Sequence, residues 1–180
     1  SKYIKKYSGY PLYQNTDVEF FQETRIALAS MLKALEEAKE YIFMEYYAIE
    51  EAKVFEQISP ILKSKVKQGL DIRIIYDDVG SVGFIDPGFI RRMEAIGVKC
   101  RVFNPVHPIF NIFMNNRDHR KICVIDGIVG FTGGYNIADK YFSDSKRYGH
   151  WKDSGIKLTG DAVLSLTVMF LEMWSSVKDD

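Results

Sequence analysis

The stretch NNRDHRKICVIDGIVGFTGGYNI (Asn115–Ile137) determines how the rest of the sequence is interpreted. Two apolar runs in it, RKICVI and IVGFT, flank Asp126-Gly127, a dipeptide typical of a tight hairpin turn. His119 and Lys121 are two residues apart, so in an extended chain their side chains share a face. A core strand has no need of two such groups together. The stretch is therefore either a decorated edge strand or part of a reaction centre.

The sequence before this hairpin alternates between helical and strand patterns. Branched and aromatic runs bounded by turn residues indicate strands, whereas apolar residues at three- and four-residue spacing indicate helices. An αβαβαβ order favours a parallel or mixed sheet covered by helices. The predicted helices are Asp17–Lys39, Ser59-Pro60 to Gly69 and Asp86-Pro87 to Gly97, and the predicted strands are Tyr41–Ile49, Asp71–Asp77 and Val98–Phe103.

After the hairpin, the sequence predicts one more strand, Asp153–Leu158, and a final amphipathic helix, Asp161–Ser176. No low-complexity linker divides the chain. The predicted fold class is therefore α/β, with a mixed, largely parallel sheet flanked by helices on both faces. We assign residues 1–16 to an N-terminal extension and residues 17–180 to one domain.

Composition sets limits on partners and cellular location. The 180 residues hold 24 Lys and Arg against 24 Asp and Glu, so no nucleic-acid partner is expected. Cys100 and Cys123 lie in apolar runs and are predicted to be buried free thiols. Neither a membrane span nor a signal peptide is recognisable, which is typical of a soluble, cytoplasmic-type fragment. The abrupt start of the sequence indicates a piece of a longer protein.

The side chains around the hairpin are those that phosphoryl transfer requires. A neutral imidazole, with an ordinary pKa of about 6.5, can attack phosphorus or carry a proton, and a nearby ammonium can neutralise phosphoryl oxygens. Gly133-Gly134 would let the backbone approach a ligand closely, and Asn136 offers a neutral donor. Together these groups can transfer a phosphoryl group without a metal or cofactor. On spacing alone, a solvated edge strand explains the pattern equally well.

The spacing His119-x-Lys121-x4-Asp126 followed by Gly133-Gly134-x-Asn136 matches the HxKxxxxD motif and resembles the phospholipase D superfamily. Six ordered blocks extend the resemblance from about Asp17 to Ser176. They are IFMEYYAIE, IRIIYDDVGSVG, MEAIGVKCRVFNP, NNRDHRKICVIDG, GFTGGYNIADKY and HWKDSGIKLTG, and together they are similar to the first half of bacterial cardiolipin synthases.

The resemblance implies a phospholipase D-like half-domain in which two motifs meet, one His attacking phosphorus and the other protonating the leaving oxygen. His150-x-Lys152 is not the second motif, because Lys157 stands where Asp is needed. The second motif would come from the rest of a longer chain or from a homodimer partner. The implied reaction condenses two phosphatidylglycerols to cardiolipin and glycerol through a phosphohistidine at a bacterial cell membrane surface.

Three alternatives remain open from the sequence. A lipid hydrolase would use the same intermediate with water as the acceptor. A dimeric single-motif nuclease would share the motif, although its relatives tend to be more basic. An inert scaffold or fragment would retain the motif without turnover.

Asp126 belongs to the motif, but a strand from His119 would carry it roughly 23 Å away, so we expect it to bond turn backbone instead. The resemblance places the acid that orients His119 at the start of the strand after the glycines, which is Asp153. The alternative for Asp153 is a bond to local backbone.

Other positions have weaker predictions. Glu45, inside an aromatic strand, must be paired or line a substrate cleft. Arg117 is a candidate for binding phosphate or headgroup, whereas Arg120 faces away from His119. Asp77 and Asp78 end a strand, where open α/β sheets often place ligand-facing groups, but a turn-forming role is the prediction. The apolar stretch Pro108–Met114 could rim an acyl-chain entrance or dip into a bilayer surface, but packing against a second half or burial in the core is the prediction. No spacing around His107 supports a metal site.

Overall fold

A computed structural model of the chain describes residues 2–106, 115–142 and 149–177. Its strands are β1 (Thr16–Phe21), β2 (Tyr41–Tyr46), β3 (Asp71–Asp77), β4 (Lys99–Phe103), β5 (Lys121–Ile125), β6 (Val129–Gly133) and β7 (Gly155–Gly160). Its helices are α1 (Lys2–Ser8), α2 (Thr24–Glu37), α3 (Lys53–Lys67), α4 (Asp78–Ser81), α5 (Phe89–Ala95) and α6 (Val163–Ser176), with a 3-10 turn at Asp139–Phe142.

The strands form one sheet in the order β1-β7-β6-β5-β2-β3-β4. Only β2–β3 and β3–β4 pair in parallel among the described strands, whereas β1–β7, β7–β6, β6–β5 and β5–β2 are antiparallel. The prediction of a largely parallel sheet is therefore wrong. The βα units of the first half give the parallel pairs, but the hairpin and the strand after it reverse direction at each step.

Strand β1 replaces the first turns of a predicted helix. Thr16–Phe21 reads TDVEFF, in which charged and apolar residues alternate with a period of two, and it pairs with β7 along its whole length. The capping-box pattern at Thr16 was outweighed by this pairing. Helix α2 starts only at Thr24. The predicted domain boundary at residues 16 and 17 falls at the start of β1 and stays a prediction.

Helix α3 begins at Lys53 and contains Pro60 in its interior, so the predicted helix start at Ser59-Pro60 is wrong. An interior Pro removes one backbone hydrogen bond and costs about 3 kcal/mol. The buried side chains on both sides of Pro60, which are Val54, Phe55, Ile58 and Leu62, hold the helix against the core.

Helices cover both faces of the sheet, as predicted. Helices α2, α3 and α5 pack on the face that carries Met44, Ile74 and Cys123. Helix α6 packs through Phe170 and Trp174 on the opposite face. Cys100 and Cys123 are buried free thiols, as predicted, and burial raises the pKa of each to about 12.

Within the described residues, every helix is too short or too polar to cross a membrane.

Candidate active site

Four neighbouring strands begin or end at one edge of the sheet. Strand β2 ends where β5 begins, with Tyr46 opposite Lys121. Strand β6 ends where β7 begins, with Gly133 opposite Gly155. Antiparallel pairing therefore brings the segments before β5, after β2 and after β6 to the same place, although they are distant in sequence.

His119 and Lys121 lie together at this edge. His119 is exposed and its ring centroid is 4.7 Å from that of Tyr47, at an interplanar angle of 52°. Lys121 Nζ is 5.4 Å from the centroid of the same Tyr47 ring and donates to the His119 carbonyl at 2.5 Å. The two side chains therefore approach Tyr47 from one side of the chain, as their spacing predicts.

Tyr47 was missed by sequence reasoning. It follows β2 inside an aromatic run, YIFMEYYAI, where nothing distinguishes it from core residues. The predicted strand Tyr41–Ile49 included Tyr47, and only the structure shows that β2 ends at Tyr46.

Lys121 is a buried cation, with 6% of its surface exposed. Burial lowers the pKa of its ammonium, and the carboxylates of Asp118 and Asp153 act in the opposite direction. The neighbouring acids therefore help to keep Lys121 protonated in a poorly solvated place. A charge in such surroundings interacts strongly with an anionic group brought next to it.

Asn136 is buried on the segment after β6. Its Oδ1 accepts a hydrogen bond from the Ala48 amide at 3.0 Å, and Ile137 pairs with Ile49 beside it. The contact orients the carboxamide, because the oxygen is occupied and the NH2 group is the donor that remains. Its predicted role toward phosphate oxygens stays a prediction.

Gly133 and Gly134 permit close packing within the chain. A Cβ at Gly133 would lie 2.6 Å from the Ser154 carbonyl oxygen, and one at Gly134 would lie 2.2 Å from Asp153 Oδ1. The Gly134 amide also donates to the Ser154 carbonyl at 3.1 Å. The glycines thus have a role that the sequence did not predict: the absence of their side chains leaves room for Asp153 and for the start of β7. Contact with a ligand stays a prediction.

Asp153 lies just before β7. Its Oδ1 accepts from the Ser154 amide at 2.8 Å, which is the local backbone bond considered as its alternative role. A cavity of about 520 Å³ opens beside it and is also lined by Phe20, Gln22, Lys152 and Ser154. Asp153 is close enough to Lys121 to affect its pKa. The predicted orientation of His119 by Asp153 stays a prediction.

Asp126 lies at the opposite end of the sheet from His119. Its carboxylate accepts from the amides of Lys39 and Glu40 at 2.8 Å each, and from that of Tyr41, which begins β2, at 2.9 Å. It therefore bonds backbone, as predicted, but the backbone is that of the α2–β2 connection and not of its own turn. This motif residue lies outside the cluster around His119.

Glu45 is fully buried, and its Oε1 lies 2.6 Å from Arg120 Nε. Burial, then the nearby charge of Asp118 and a hydrogen bond with Asp118, raise the pKa of Glu45 to about 9, while Arg120 opposes the shift. Of the two predicted roles, pairing is observed and exposure to a cleft is not. Arg120 points away from His119, as predicted.

Arg117 is held inside the protein. Its Nη1 donates to Asp77 Oδ1 at 3.2 Å and to the Asn104 carbonyl at 3.0 Å. Asp77 also caps α4 through the Gly80 amide, which agrees with its predicted turn role. Asp78 instead accepts from the Val106 amide, far along the chain, and so joins two separate segments. A phosphate-binding role for Arg117 stays a prediction.

Some predictions fall beyond the described ranges 2–106, 115–142 and 149–177. These are the predictions for His107 and for the apolar stretch Pro108–Met114. Within those ranges, no group of three or more His, Cys, Asp or Glu side chains is arranged to hold a metal ion.

Residues 31–174 match the family described as cardiolipin synthase, PLD-like domain. An uncharacterized protein of Streptococcus mutans is 39% identical over 180 residues, which are 100% of this chain and 39% of that protein. Cardiolipin synthase 2 of Bacillus cereus is 40% identical over 165 residues, which are 88% of this chain and 32% of that enzyme. The chain thus spans less than half the length of these relatives.

Among solved structures, NucT from Helicobacter pylori superposes with a TM-score of 0.70 at 18% identity, covering 92% of this chain and 100% of that one. At this identity the similarity concerns the fold. The family match covers the segments that carry His119, Lys121 and Asn136. The chain belongs to the family of cardiolipin synthase phospholipase D-like domains.

Proposed function

We propose that this chain is one half of a two-motif active site that transfers a phosphatidyl group. Family membership supports an enzyme of phospholipid metabolism. The observation that carries the proposal is the exposed imidazole of His119 beside the buried ammonium of Lys121, at an edge where four strand ends meet. A nucleophile and a cation placed together in this way suit attack on a phosphodiester.

In the first step, a ring nitrogen of His119 attacks the phosphorus of phosphatidylglycerol. An N–P bond forms, the P–O bond to the headgroup glycerol breaks, and the leaving oxygen takes a proton from the partner His. In the second step, a hydroxyl of another phosphatidylglycerol gives its proton to that His and attacks phosphorus. The N–P bond breaks, and cardiolipin is released.

Charge on the non-bridging oxygens would be balanced by Lys121 and by the NH2 group of Asn136. Both groups are held in place before any substrate arrives, Lys121 by the His119 carbonyl and Asn136 by the Ala48 amide. Preorganised donors of this kind contribute about 10²–10³ in rate each.

The partner His would come from a second motif. One motif cannot supply both a nucleophile and a general acid, because His119 is occupied by phosphorus when the leaving group needs its proton. The relatives are two to three times as long as this chain, which supports a second half within the same longer protein.

The proposed substrate is an anionic lipid at a bacterial membrane surface, and α1 supports a contact with that surface. At helical spacing, Lys2, Lys5 and Lys6 lie on one side of α1, whereas Tyr3, Ile4 and Tyr7 lie on the other. All three apolar residues are more than half exposed. Separated basic and apolar faces of this kind suit the interface of a membrane with anionic headgroups.

The test is made with the full-length protein on vesicles of phosphatidylglycerol, with cardiolipin, phosphatidic acid and glycerol measured as products. We expect His119→Ala and His119→Gln to abolish turnover without changing the Tm. His150→Gln is a matched control, because His150 also belongs to an HxK sequence but lies outside the motif. It should keep activity near that of the unmodified enzyme.

A covalent adduct should accumulate on His119 and disappear in His119→Gln, detected by mass spectrometry after an alkaline quench. An active His119→Ala enzyme would contradict the nucleophile assignment. Phosphatidic acid as the main product would favour hydrolysis over transfer. Salt-sensitive binding and cleavage of DNA would favour the nuclease alternative.

A further inference from the structure

The segment that carries His119 lies before β5 and has no regular strand pairing. Residues 116–120 form irregular backbone, and β5 begins only at Lys121. Ladder hydrogen bonds therefore do not fix the position of His119, and other contacts must do so.

Buried carboxylates fix the backbone on both sides of His119. Asp77 Oδ2 accepts from the Asp118 amide at 2.9 Å. Asp118 Oδ1 accepts from the Arg120 amide at 3.3 Å and from Arg120 Nε at 3.1 Å. The residues before and after His119 are thus tied to acids that are at least 96% shielded from solvent, since Asp118 is 4% exposed and Asp77 is 0% exposed.

Glu45 completes this arrangement from β2. Its Oε1 lies 2.6 Å from Arg120 Nε, and its side chain is fully buried. The single N–H of Arg120 Nε is directed to Asp118, so the contact with Glu45 is an ion pair without a well-directed hydrogen bond. Two acids therefore share one cation next to His119.

The charges balance if the two acids hold one proton between them. Within the described part of the chain, Glu45 Oε1 and Oε2 and Asp118 Oδ2 are buried without a hydrogen-bond partner. A proton on Glu45 allows an O–H···O bond to Asp118, and the pair then carries one negative charge against that of Arg120. Burial and Asp118 favour that proton by raising the pKa of Glu45 to about 9.

We propose that Glu45, held as a protonated acid against Asp118, is a positioning residue for His119 through Arg120. The positioning role rests on the proposed function of His119, whereas the location of the proton on Glu45 does not. On the α6 side, Tyr10 donates to Glu172 at 3.1 Å, and the charge of Arg120 acts on Tyr10. Toward β3, the neighbour of Glu45 is the apolar Ile75.

Loss of the proton at alkaline pH would leave the buried carboxylates of Glu45 and Asp118 against the Arg120 guanidinium. The Lys121 ammonium also interacts with Asp118, but it interacts with Asp153 as well. A buried charge without a partner is strongly unfavourable, so the segment around His119 would loosen. The imidazole would lose its position relative to Lys121, and turnover would fall.

The first experiment tests whether Glu45 is protonated, by measuring stability against pH, and it requires no catalytic turnover. The folded protein keeps the Glu45 proton up to about pH 9, whereas an unfolded chain releases it near pH 4.5, so this contribution to stability decreases as the pH rises between those values. We therefore expect the Tm difference between full-length Glu45→Gln and the unmodified full-length protein to become more positive as the pH rises across that range. Glu56→Gln changes an exposed Glu in α3, and its Tm should depend on pH in the same way as that of the unmodified protein.

The second experiment tests whether Glu45 positions His119, by measuring hydrolysis of bis(4-nitrophenyl) phosphate by the full-length protein. We expect Glu45→Gln to keep kcat within about twofold at pH 7 and to move the alkaline loss of kcat upward by about one pH unit or more. We expect Glu45→Ala to lower kcat by about tenfold or more with little change in KM. Should Glu45→Ala fail to fold, the pH profile of Glu45→Gln still decides.

Identical alkaline limbs for Glu45→Gln and the unmodified protein would overturn the positioning role, and would assign that limb to another group such as Lys121. A Tm difference that does not change with pH would overturn the shared proton. Absence of all phosphodiester turnover would overturn the proposed function and the positioning role with it, while the Tm comparison would still decide where the proton is.

Discussion

Lys121 combines two properties that rarely occur together, since its side chain is buried and it carries a charge. Its ammonium has the His119 carbonyl as a hydrogen-bond acceptor and the Tyr47 ring as a cation–π partner. Asp118 and Asp153 contribute opposite charge nearby. These contacts hold the cation in place, as its proposed interaction with phosphate oxygens would require.

Replacing Lys121 should therefore affect catalysis more than substrate binding. We expect Lys121→Gln to lower kcat by about 10²–10³, because a preorganised donor to the transition state is lost. Lys33→Gln is the control, because Lys33 is an exposed Lys of α2 that belongs to no part of the candidate site. Steady-state kinetics of both variants on phosphatidylglycerol vesicles make the comparison. Equal effects of the two substitutions would mean that Lys121 contributes only general positive charge.

The residue spacing predicted part of this site. An i, i+2 relation was enough to place His119 and Lys121 on one side of the chain, because side-chain direction in extended backbone is a local property. The contacts with Tyr47 and Ala48 could not be predicted in the same way. They depend on β5 pairing with β2, which joins residues more than 70 positions apart.

At the level of elements, the α2–β2 connection depends on a residue of the β5–β6 hairpin. Asp126 accepts three backbone hydrogen bonds from that connection and adopts a φ of 53°. Its position in the motif thus reflects a structural contact between two segments. The contact fixes the start of β2, whose other end contributes to the site.

Asp126→Asn should lower stability more than it lowers activity per folded molecule. The carboxamide has one acceptor oxygen in place of two, so the Lys39 amide faces an NH2 group; we expect a loss of about 1–3 kcal/mol in the free energy of unfolding. Urea denaturation measures this loss, and kcat per folded molecule should stay within about twofold. Asp17→Asn, on exposed β1, is the control. A large fall in kcat with unchanged stability would reject the structural assignment.

The predictions for individual elements succeeded where local pattern and tertiary structure agree. Strand β3 was predicted at Asp71–Asp77 and is observed there, because its apolar residues are buried on both faces. The predictions were wrong for the segment that forms β1 and for the start of α3. In both, a local signal, a capping box or a Ser-Pro pair, was outweighed by pairing with β7 or by burial of Val54 and Phe55. Whether neighbouring strands run parallel or antiparallel also depends on such long-range pairing.

For the whole molecule, the central question is how one motif becomes a complete site. His119 is exposed at the sheet edge, and in the proposed mechanism a general acid would face it from another surface. Within the described residues, His150 is the other imidazole, and its HxK sequence lacks the Asp of the motif. The family relation and the greater length of the relatives favour a second half in the same longer protein.

We therefore expect the 180-residue segment alone to fold but to turn over phosphodiesters poorly. Its circular dichroism spectrum should show mixed helix and strand, and its specific activity on bis(4-nitrophenyl) phosphate at about 1 μM should be below about one hundredth of that of the full-length protein, because a general acid contributes about 10²–10⁴ in rate. Analytical ultracentrifugation and rates measured over a range of concentrations separate the two sources of a second motif. Specific activity that rises with concentration, together with a dimer, would show that a second copy of this chain completes the site. In that case, mixing the segment with its His119→Ala variant should reduce activity in proportion to the mixed dimer formed.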